Sequence, residues 1–371
     1  MYGDNSHYRH IKNQIMKPLR PLRRRFIGIA ATCTALGMAS GLTRHALASA
    51  AATSSWKASE ISPDIVIWRG TGASADTTVW RGIALGADAE LRIIHPDAVF
   101  AQNMVTRSIA ELRRLENTFS LYQHDSALSR LNRDGVLNNA DTDLLILLNE
   151  AAHYAALTGG AFDPTVQTLW ELYASHFAQH GTSSDGPSEA AVELALQRVN
   201  VAGISLSDTQ ISLQPGMKVT LNGIAQGYIT DRVTDLLRNA GLDRALVDMG
   251  EIRGLNKNNA APAWRAGLKD PQAPEKLLDT VLLNNDALST SGSYGTWLDD
   301  TGRYTHLFNP KTGESPRLYQ SVSVLAPRAT TADALSTAFS SMPVSSVEKV
   351  VKQLGIRAWL ILPDGQILAK A

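Results

Sequence analysis

The chain has 371 residues, 44% of them hydrophobic and 19% charged, and its 35 basic side chains balance its 35 acidic ones. This is the composition of an ordinary globular protein with a sizeable core. Its one cysteine, Cys33, lies in an N-terminal segment that we expect to be removed, which excludes disulfides, thiolate catalysis and cysteine metal sites from the mature protein.

The first 48 residues predict a twin-arginine export signal. The pair Arg23-Arg24 precedes a moderately apolar run over 26–42, and Ala46-Leu47-Ala48 provides the small residues that a signal peptidase requires. The run is too short and too polar to anchor well in a bilayer. Without this segment the chain has 27 basic and 34 acidic residues, and this net charge of −7 argues against nucleic acid as a partner. We therefore expect a periplasmic protein without stable membrane insertion.

Ordered structure is expected to begin near Val79, after a flexible leader over 49–78, and to continue to residue 371 as a single domain. Residues 80–93 predict two short strands bent at Gly86. A helix is predicted over 96–117, because apolar residues recur there on one helical face.

Two aspartates indicate further helix starts. Asp141 is the predicted N-cap of a helix that ends near residue 157. Asp163 is the predicted N-cap of a second turn, with Pro164 at its first helical position. A helix over 189–198 and a hairpin through Ser207-Asp208 follow.

The stretch over 218–254 is the centre of the pattern. It predicts a strand over 218–221, a glycine-bearing turn over 222–227, a helix from Tyr228 to Asn239 and a buried strand over 244–249. Such a unit can bring backbone N–H groups to a phosphate. It can equally be a structural unit with tight turns, because glycines mark turns more often than ligands.

The C-terminal third predicts both strands and helices. Strands are predicted over 264–268, 281–283, 287–291 and 321–325. A helix over 330–341, capped by Thr330 or Thr331, and a second helix over 344–354 complete the pattern. Because strands and helices do not alternate regularly, the sequence predicts an α+β fold with mixed or antiparallel sheets flanked by helices.

Several side chains could support chemistry. Asp333 and Thr337 lie four residues apart on one helical face, and their oxygens suit Mg²⁺, although both could simply bond their own helix. His306 lies beside an Asn-Pro turn and could be structural or functional. Tyr122 and Phe162 could form the floor of a site for a planar ligand, or pack in the core.

Seven motifs, in this order, resemble the ApbE family of FAD:protein FMN transferases, and the resemblance covers roughly residues 80–342. They are FSLYQHDSALSRLN, GGAFDPTV, VTLNGIAQGYITD, LVDMGEIRG, STSGSY, THLFNPKTG and TADALSTA. The resemblance implies a two-lobed fold with a cofactor cleft, in which FAD is substrate and bound flavin. It also implies transfer of FMN to a Ser/Thr hydroxyl of a target flavoprotein, with release of AMP.

The resemblance also implies site residues. The metal Mg²⁺ would be held by Asp333, Thr337 and the carbonyl group of Gly223, and His306 would lie beside the pyrophosphate. His306 and Asp333 are the candidate catalytic residues. The implied flavin contacts are Leu85, Tyr122, Ala161, Phe162, Asp163, Thr220, Gln226 and Leu307.

The chain departs from the family pattern at three places. Thr220 stands where members commonly have Asp, Gln226 where they have Lys or Glu, and Gly250-Glu251 where they have Gly-Gly. The variant LNGIAQGYITD and the export signal together are most similar to the NosX branch, which matures NosR-type membrane flavoproteins for nitrous oxide reduction. Two other functions remain open: an FAD pyrophosphatase that yields FMN and AMP, and a non-catalytic flavin carrier or assembly factor.

Overall fold

A computed structural model describes residues 56–62, 65–70 and 76–371 of the chain. The predicted export signal, including Cys33, lies outside the described residues. Ten strands form the main sheet, in the spatial order β1-β2-β3-β4-β8-β9-β12-β13-β14-β15, and every neighbouring pair is antiparallel. These strands are β1 (Trp56–Ser62), β2 (Ile65–Gly70), β3 (Thr77–Ala84), β4 (Ala87–Ile94), β8 (Arg244–Asp248), β9 (Ile252–Asn256), β12 (Ala287–Gly292), β13 (Ser321–Ala326), β14 (Arg357–Ile361) and β15 (Ile367–Lys370).

The remaining strands of the described residues form two smaller sheets. One contains β5 (Val136–Asn138), β7 (Gln210–Leu213) and β6 (Ile204–Leu206), and the other pairs β10 (Trp264–Lys269) with β11 (Leu277–Leu283). The α-helices are α1 (Ala98–Phe119), α2 (Ala127–Asp134), α3 (Thr142–Leu157), α4 (Gln167–His180), α5 (Glu189–Leu196), α6 (Ala225–Asn239), α7 (Ala329–Phe339) and α8 (Val344–Leu354). The predicted α+β class with antiparallel sheets is therefore confirmed.

The main core lies between the ten-stranded sheet and its helices. Helices α1, α6 and α7 contribute Leu112, Ile229 and Leu335, which are each fully buried. The β10–β11 pair packs separately, through Trp264 and Leu283. Because apolar area removed from water stabilises by roughly 25 cal/mol per Å², these clusters dominate the stability of the fold. None of the helices in the described part of the chain is long and apolar enough to cross a bilayer.

The sheet begins earlier than the sequence predicts. Strands β1 and β2 lie within 49–78, and β2 pairs with β3 through Ile67 opposite Trp80. Ile67 is fully buried. A short apolar cluster in a polar stretch is therefore enough to extend a sheet, because a strand that covers an edge needs few buried side chains.

Residues 218–221 do not form the predicted strand. Val219 donates its N–H to Asn132 Oδ1 at 2.7 Å, and its carbonyl accepts from Asn132 Nδ2 at 2.7 Å. Thr220 donates its N–H to the Pro164 carbonyl at 2.7 Å. The backbone groups of this extended segment are thus satisfied by a side chain and a turn instead of a neighbouring strand.

Candidate functional site

Asp333 and Thr337 project from the same face of α7, as their spacing predicts. Asp333 is buried, and its Oδ2 accepts the N–H of Gly227 at 2.9 Å. This bond joins the first turn of α6 to α7, so the predicted carboxylate and the predicted glycine turn meet.

The glycine turn needs its glycines because the backbone approaches α7 closely. A Cβ on Gly227 would lie 2.3 Å from the carbonyl oxygen of Ala329, and one on Gly223 would lie 2.9 Å from Thr337 Oγ1. Real Cβ atoms avoid contacts this short, whether with backbone or with a side chain. Gly223, Asp333 and Thr337, the three implied metal ligands, are therefore gathered where α6 begins beside α7.

Ionising the buried carboxyl groups of this region costs free energy. Burial raises the pKa of Asp333 to about 7, against the effect of the Gly227 N–H, and the negative charge of Asp231 raises it further. Burial also raises the pKa of Glu251 well above its usual range, as does the nearby Asp333, while hydrogen bonds from Ser289 and Thr290 oppose the rise. A cation between these groups would lower the cost of ionising them.

The donor set fits a hard divalent ion. No three His, Cys, Asp or Glu side chains converge on one point in the described ranges. An ion beside Asp333 would therefore depend on hydroxyl, carbonyl and water oxygens as well. Mg²⁺ accepts such ligands and usually keeps several waters, so the residues present fit the group.

A network of hydroxyl groups supports the two ligands from β12. Ser336 Oγ lies 3.0 Å from Ser289 Oγ and 2.8 Å from Ser291 Oγ, and it donates to the Asp333 carbonyl at 3.0 Å. Ser291 Oγ is also 3.4 Å from Thr337 Oγ1. This network was not predicted from the sequence. In the sequence, the network is indicated only by the run of small, mostly hydroxyl-bearing residues over 289–293. In the fold, this run faces the helix that contains Asp333.

Asp231 caps α7 from outside that helix. Its carboxylate accepts the N–H groups of Ala329 at 2.8 Å and Thr330 at 2.9 Å, and it pairs with Arg253 at 2.6 Å. The predicted cap at Thr330 or Thr331 is therefore wrong. Thr330 lies inside the first turn, and its hydroxyl also donates to Asp231. A carboxylate satisfies two N–H groups at once and complements the helix dipole better than a hydroxyl does.

Two residues of the implied flavin set, Leu85 and Gln226, meet near the end of β3, and Gly250 lies beside them. Leu85 has a left-handed φ of 46° and donates its N–H to Glu116 Oε1 at 2.7 Å. Gln226 is buried, and its Nε2 donates to the Ala84 carbonyl at 3.4 Å. Gly250 has a φ of 104°, and a Cβ there would lie 2.4 Å from Gln226 Nε2. Leu85, Gln226 and the Gly250-Glu251 turn thus lie side by side.

The segment that contains Ala161, Phe162 and Asp163 is tied to the glycine turn. Asp163 is confirmed as an N-cap, since its carboxylate accepts the N–H of Thr165 at 2.8 Å, and it also accepts that of Val201 at 3.0 Å. Phe162 is 4% exposed and belongs to the main core, and Ala161 packs against that core. The Pro164–Thr220 bond then places Thr220 beside this segment.

The remaining predicted residues lie on loops. Tyr122 is 66% exposed between α1 and α2. His306 is half-buried, with Nδ1 3.3 Å from the Thr296 carbonyl, and Leu307 beside it is buried. A proton on Nδ1 directed at that carbonyl makes Nε2 the basic nitrogen of the ring.

The chain matches the model of the ApbE family over residues 85–360. It is 31% identical over 279 residues to the FAD:protein FMN transferase of Treponema pallidum, covering 70% of this chain and 77% of that one. It is 28% identical over 292 residues to the FAD:protein FMN transferase of Klebsiella pneumoniae, covering 74% and 81%.

Two solved structures share the fold. The ApbE protein of Thermotoga maritima matches with a TM-score of 0.69 at 29% identity, covering 79% of this chain and 97% of that one. The flavin transferase ApbE of Vibrio cholerae matches with a TM-score of 0.67 at 25% identity, covering 80% and 98%. The chain therefore belongs to the ApbE family.

Proposed function

We propose that this chain transfers FMN from FAD to a serine or threonine hydroxyl of a target flavoprotein and releases AMP. The observation that carries the proposal is the placement of Asp333 and Thr337 against the glycine turn. Gly227 is hydrogen-bonded to Asp333, and Gly223 lies so close to Thr337 that a Cβ there would be 2.9 Å from Thr337 Oγ1. The relatives named as FAD:protein FMN transferases support the same reaction.

The reaction exchanges one phosphorus–oxygen bond for another. The acceptor hydroxyl oxygen bonds to the phosphorus of the FMN half, and the bond from that phosphorus to the bridging oxygen breaks. AMP leaves with the bridging oxygen, and the hydroxyl proton passes to a base. Such transfers depend mainly on positioning and on stabilising the charge of the phosphoryl oxygens.

Asp333, Thr337 and the Gly223 carbonyl would hold Mg²⁺. When bound, the ion supplies positive charge next to the phosphoryl oxygens. The chain keeps these ligands in place through Asp231, which caps α7, and through Ser336, which joins β12 to the Asp333 carbonyl.

His306 is the better of the two candidate bases. Its Nδ1 lies beside the Thr296 carbonyl, so Nε2 is able to accept a proton. Asp333 already accepts the Gly227 N–H and would share its charge with the metal. His306 would thus receive the acceptor proton, with Asp333 as a ligand.

The flavin would bind along the segments that the fold brings together. Leu85, Gln226 and Thr220 would contact it from the main sheet and the glycine turn, and Ala161, Phe162 and Asp163 from the neighbouring turn. Tyr122 would supply an exposed ring from its loop, and Leu307 a buried apolar contact beside His306. Thr220 and Gln226 are neutral, so this site would place fewer charged side chains against FAD than the common family pattern does.

One incubation separates transfer from its two alternatives. The protein is mixed with FAD, Mg²⁺ and an acceptor domain that carries a Ser/Thr flavinylation motif, and the products are resolved by mass spectrometry. Flavin covalently attached to the acceptor supports transfer. Free FMN and AMP without labelled acceptor would support a pyrophosphatase, and intact bound FAD would support a carrier.

The acceptor would be a NosR-type membrane flavoprotein of nitrous oxide reduction, and the site of action the periplasm. The similarity to the NosX branch and the twin-arginine pattern at Arg23-Arg24 support this part of the proposal. Deleting the gene should remove covalent FMN from the NosR-type protein of the same cell. Unchanged flavin on that protein would contradict the assignment.

A further inference from the structure

A cavity of about 460 Å³ opens beside the candidate site, between the loop over 297–305 and the segment over 315–320. Its lining combines two cationic side chains with four serine and threonine hydroxyls and one tyrosine, and it contains no acidic residue. We call it the arginine pocket, and its defining residues are Arg303, Arg317, Ser293, Thr301, Thr305 and Ser315.

The two arginines carry charge that the neighbouring residues do not neutralise. Both are exposed, and neither guanidinium forms an ion pair with any residue of the described ranges. Arg303 lies 5.1 Å from the centre of the Tyr304 ring. Asp299 is the buried acid closest in sequence to Arg303. Its carboxylate accepts the N–H of Tyr304 at 2.9 Å and the hydroxyl of Thr301, so it is hydrogen-bonded within its own loop and not paired with Arg303.

A hydrogen bond joins the two segments that line the pocket, close to the candidate centre. Thr305 donates its N–H to Ser315 Oγ at 2.8 Å, which joins the two sides of the cavity. Thr305 directly precedes His306. Ser293 lies two residues after Ser291, whose hydroxyl is 3.4 Å from Thr337 Oγ1. Two residues of extended chain span about 7 Å, so the pocket and the centre are within reach of one short peptide.

The rim of the pocket has the composition of a protein-binding surface. Trp297 is 53% exposed beside Gly302, and Leu318 is 45% exposed beside Arg317. Aromatic residues and arginines are enriched where proteins bind one another, and charge pairs across an interface guide the approach of a partner. The cationic lining of the pocket is complementary in charge to an acidic segment.

We infer that the arginine pocket docks an acidic segment of the acceptor protein, with the acceptor hydroxyl a few residues away at the transfer site. This inference rests on the proposed function. Arg303 and Arg317 would each pair with a carboxylate, and the hydroxyl groups of the wall would bond the peptide. The pocket would then select the acceptor without contributing to FAD binding.

The test uses the full protein and two labelled peptides, each with one threonine. One peptide carries several aspartates, and in the other each aspartate is replaced by asparagine. By fluorescence anisotropy at low salt, the acidic peptide should bind about tenfold more tightly, a preference that should fade as salt screens the charges. The double variant Arg303→Glu/Arg317→Glu should abolish the preference and raise the KM for acceptor, with the Kd for FAD unchanged.

A charge-matched control is the double variant Arg265→Glu/Lys349→Glu, because both residues are exposed and lie outside the pocket. It should retain the preference. Equal binding of both peptides to the wild type would overturn the inference. A pocket variant that loses FAD binding would also overturn it, since the pocket would then hold a phosphate of the nucleotide. Acidic preference without any FMN transfer would instead refute the proposed function and leave the pocket assignment standing.

Discussion

Replacing Asp333 with Asn separates a metal ligand from a helix-packing residue, because only the loss of a ligand removes the stabilisation by Mg²⁺. The amide keeps the shape of the side chain and an oxygen that can accept the Gly227 N–H. It removes only the negative charge. If Asp333 served merely to satisfy its helix, the change should cost at most about 1 kcal/mol of stability at a pH where the wild-type carboxyl is protonated, and it should leave activity near normal.

The size of the charge effect follows from the pKa of Asp333, which burial raises from 3.8 to about 7. A group whose folded pKa lies above its unfolded one binds protons more readily in the folded state. Its contribution to stability is therefore complete below about pH 4 and is lost as the pH rises to about 7. A difference of roughly three pKa units corresponds to on the order of 4 kcal/mol. Without metal at pH 8, Asp333→Asn should thus be more stable than the wild type, by up to this amount.

Mg²⁺ should reverse the order. The wild type should gain about 2.7 kcal/mol when the ion is present at one hundred times its Kd, and the variant should gain little. Urea denaturation at pH 5 and pH 8, with a chelator or with Mg²⁺, measures all of these quantities. FMN transfer by the variant should fall by orders of magnitude, with partial recovery in excess metal.

Asp248→Asn is the matched control. Burial also raises the pKa of Asp248 to about 7, against the effect of the Gly250 N–H, and the charges of Glu90 and Asp88 raise it further. Because Asp248 is partly exposed and Asp333 is buried, this variant should show a smaller gain of the same sign in chelator at pH 8, and it should keep the response to Mg²⁺. A wild-type response to Mg²⁺ in Asp333→Asn would refute the assignment of Asp333 as a ligand, and a loss of stability in chelator at pH 8 would refute the raised pKa of Asp333.

Three further changes test other parts of the molecule. Tyr122→Ala should weaken FAD binding by about 1–3 kcal/mol if the exposed ring stacks on the flavin, and an unchanged Kd in a folded variant would remove Tyr122 from the site. Asp231→Ala should lower the free energy of unfolding by about 3–5 kcal/mol, because it uncaps α7 and leaves the buried guanidinium of Arg253 with only its 3.8 Å contact to Asp235. The half-exposed neighbour Asp235, changed to Ala, should cost under about 1 kcal/mol, and equal losses would contradict the capping role. Replacing both Arg23 and Arg24 with Lys should keep the precursor in the cytoplasm on fractionation, and normal export would exclude the twin-arginine signal.

Local patterns in the sequence predicted most of the elements. The turn at Gly86 and the caps Asp141 and Asp163 depend on neighbours within a few residues, and all three are present. The helical spacing of Asp333 and Thr337 is likewise local, so their common face could be predicted. The α+β class followed from the order of such elements along the chain.

The differences arise where a distant residue supplies a partner. Val219 is satisfied by Asn132, which is 87 residues away, so periodicity alone suggested a strand. The cap of α7 comes from Asp231, 98 residues before Ala329. The arginine pocket is formed by segments whose side chains have no recognisable spacing. Contacts of this kind depend on the tertiary fold, which one sequence does not show.

The bond between Gly227 and Asp333 joins residues that are 106 positions apart. A growing polypeptide therefore cannot assemble the centre until α7 has left the ribosome, when nearly the whole domain has been made. The entropic cost of closing so long a loop arises before the contact can stabilise the fold. We therefore expect the contact to form late in folding. If the protein crosses the membrane already folded, the ion in its centre would come from the compartment where synthesis ends, before the protein reaches the one where it acts.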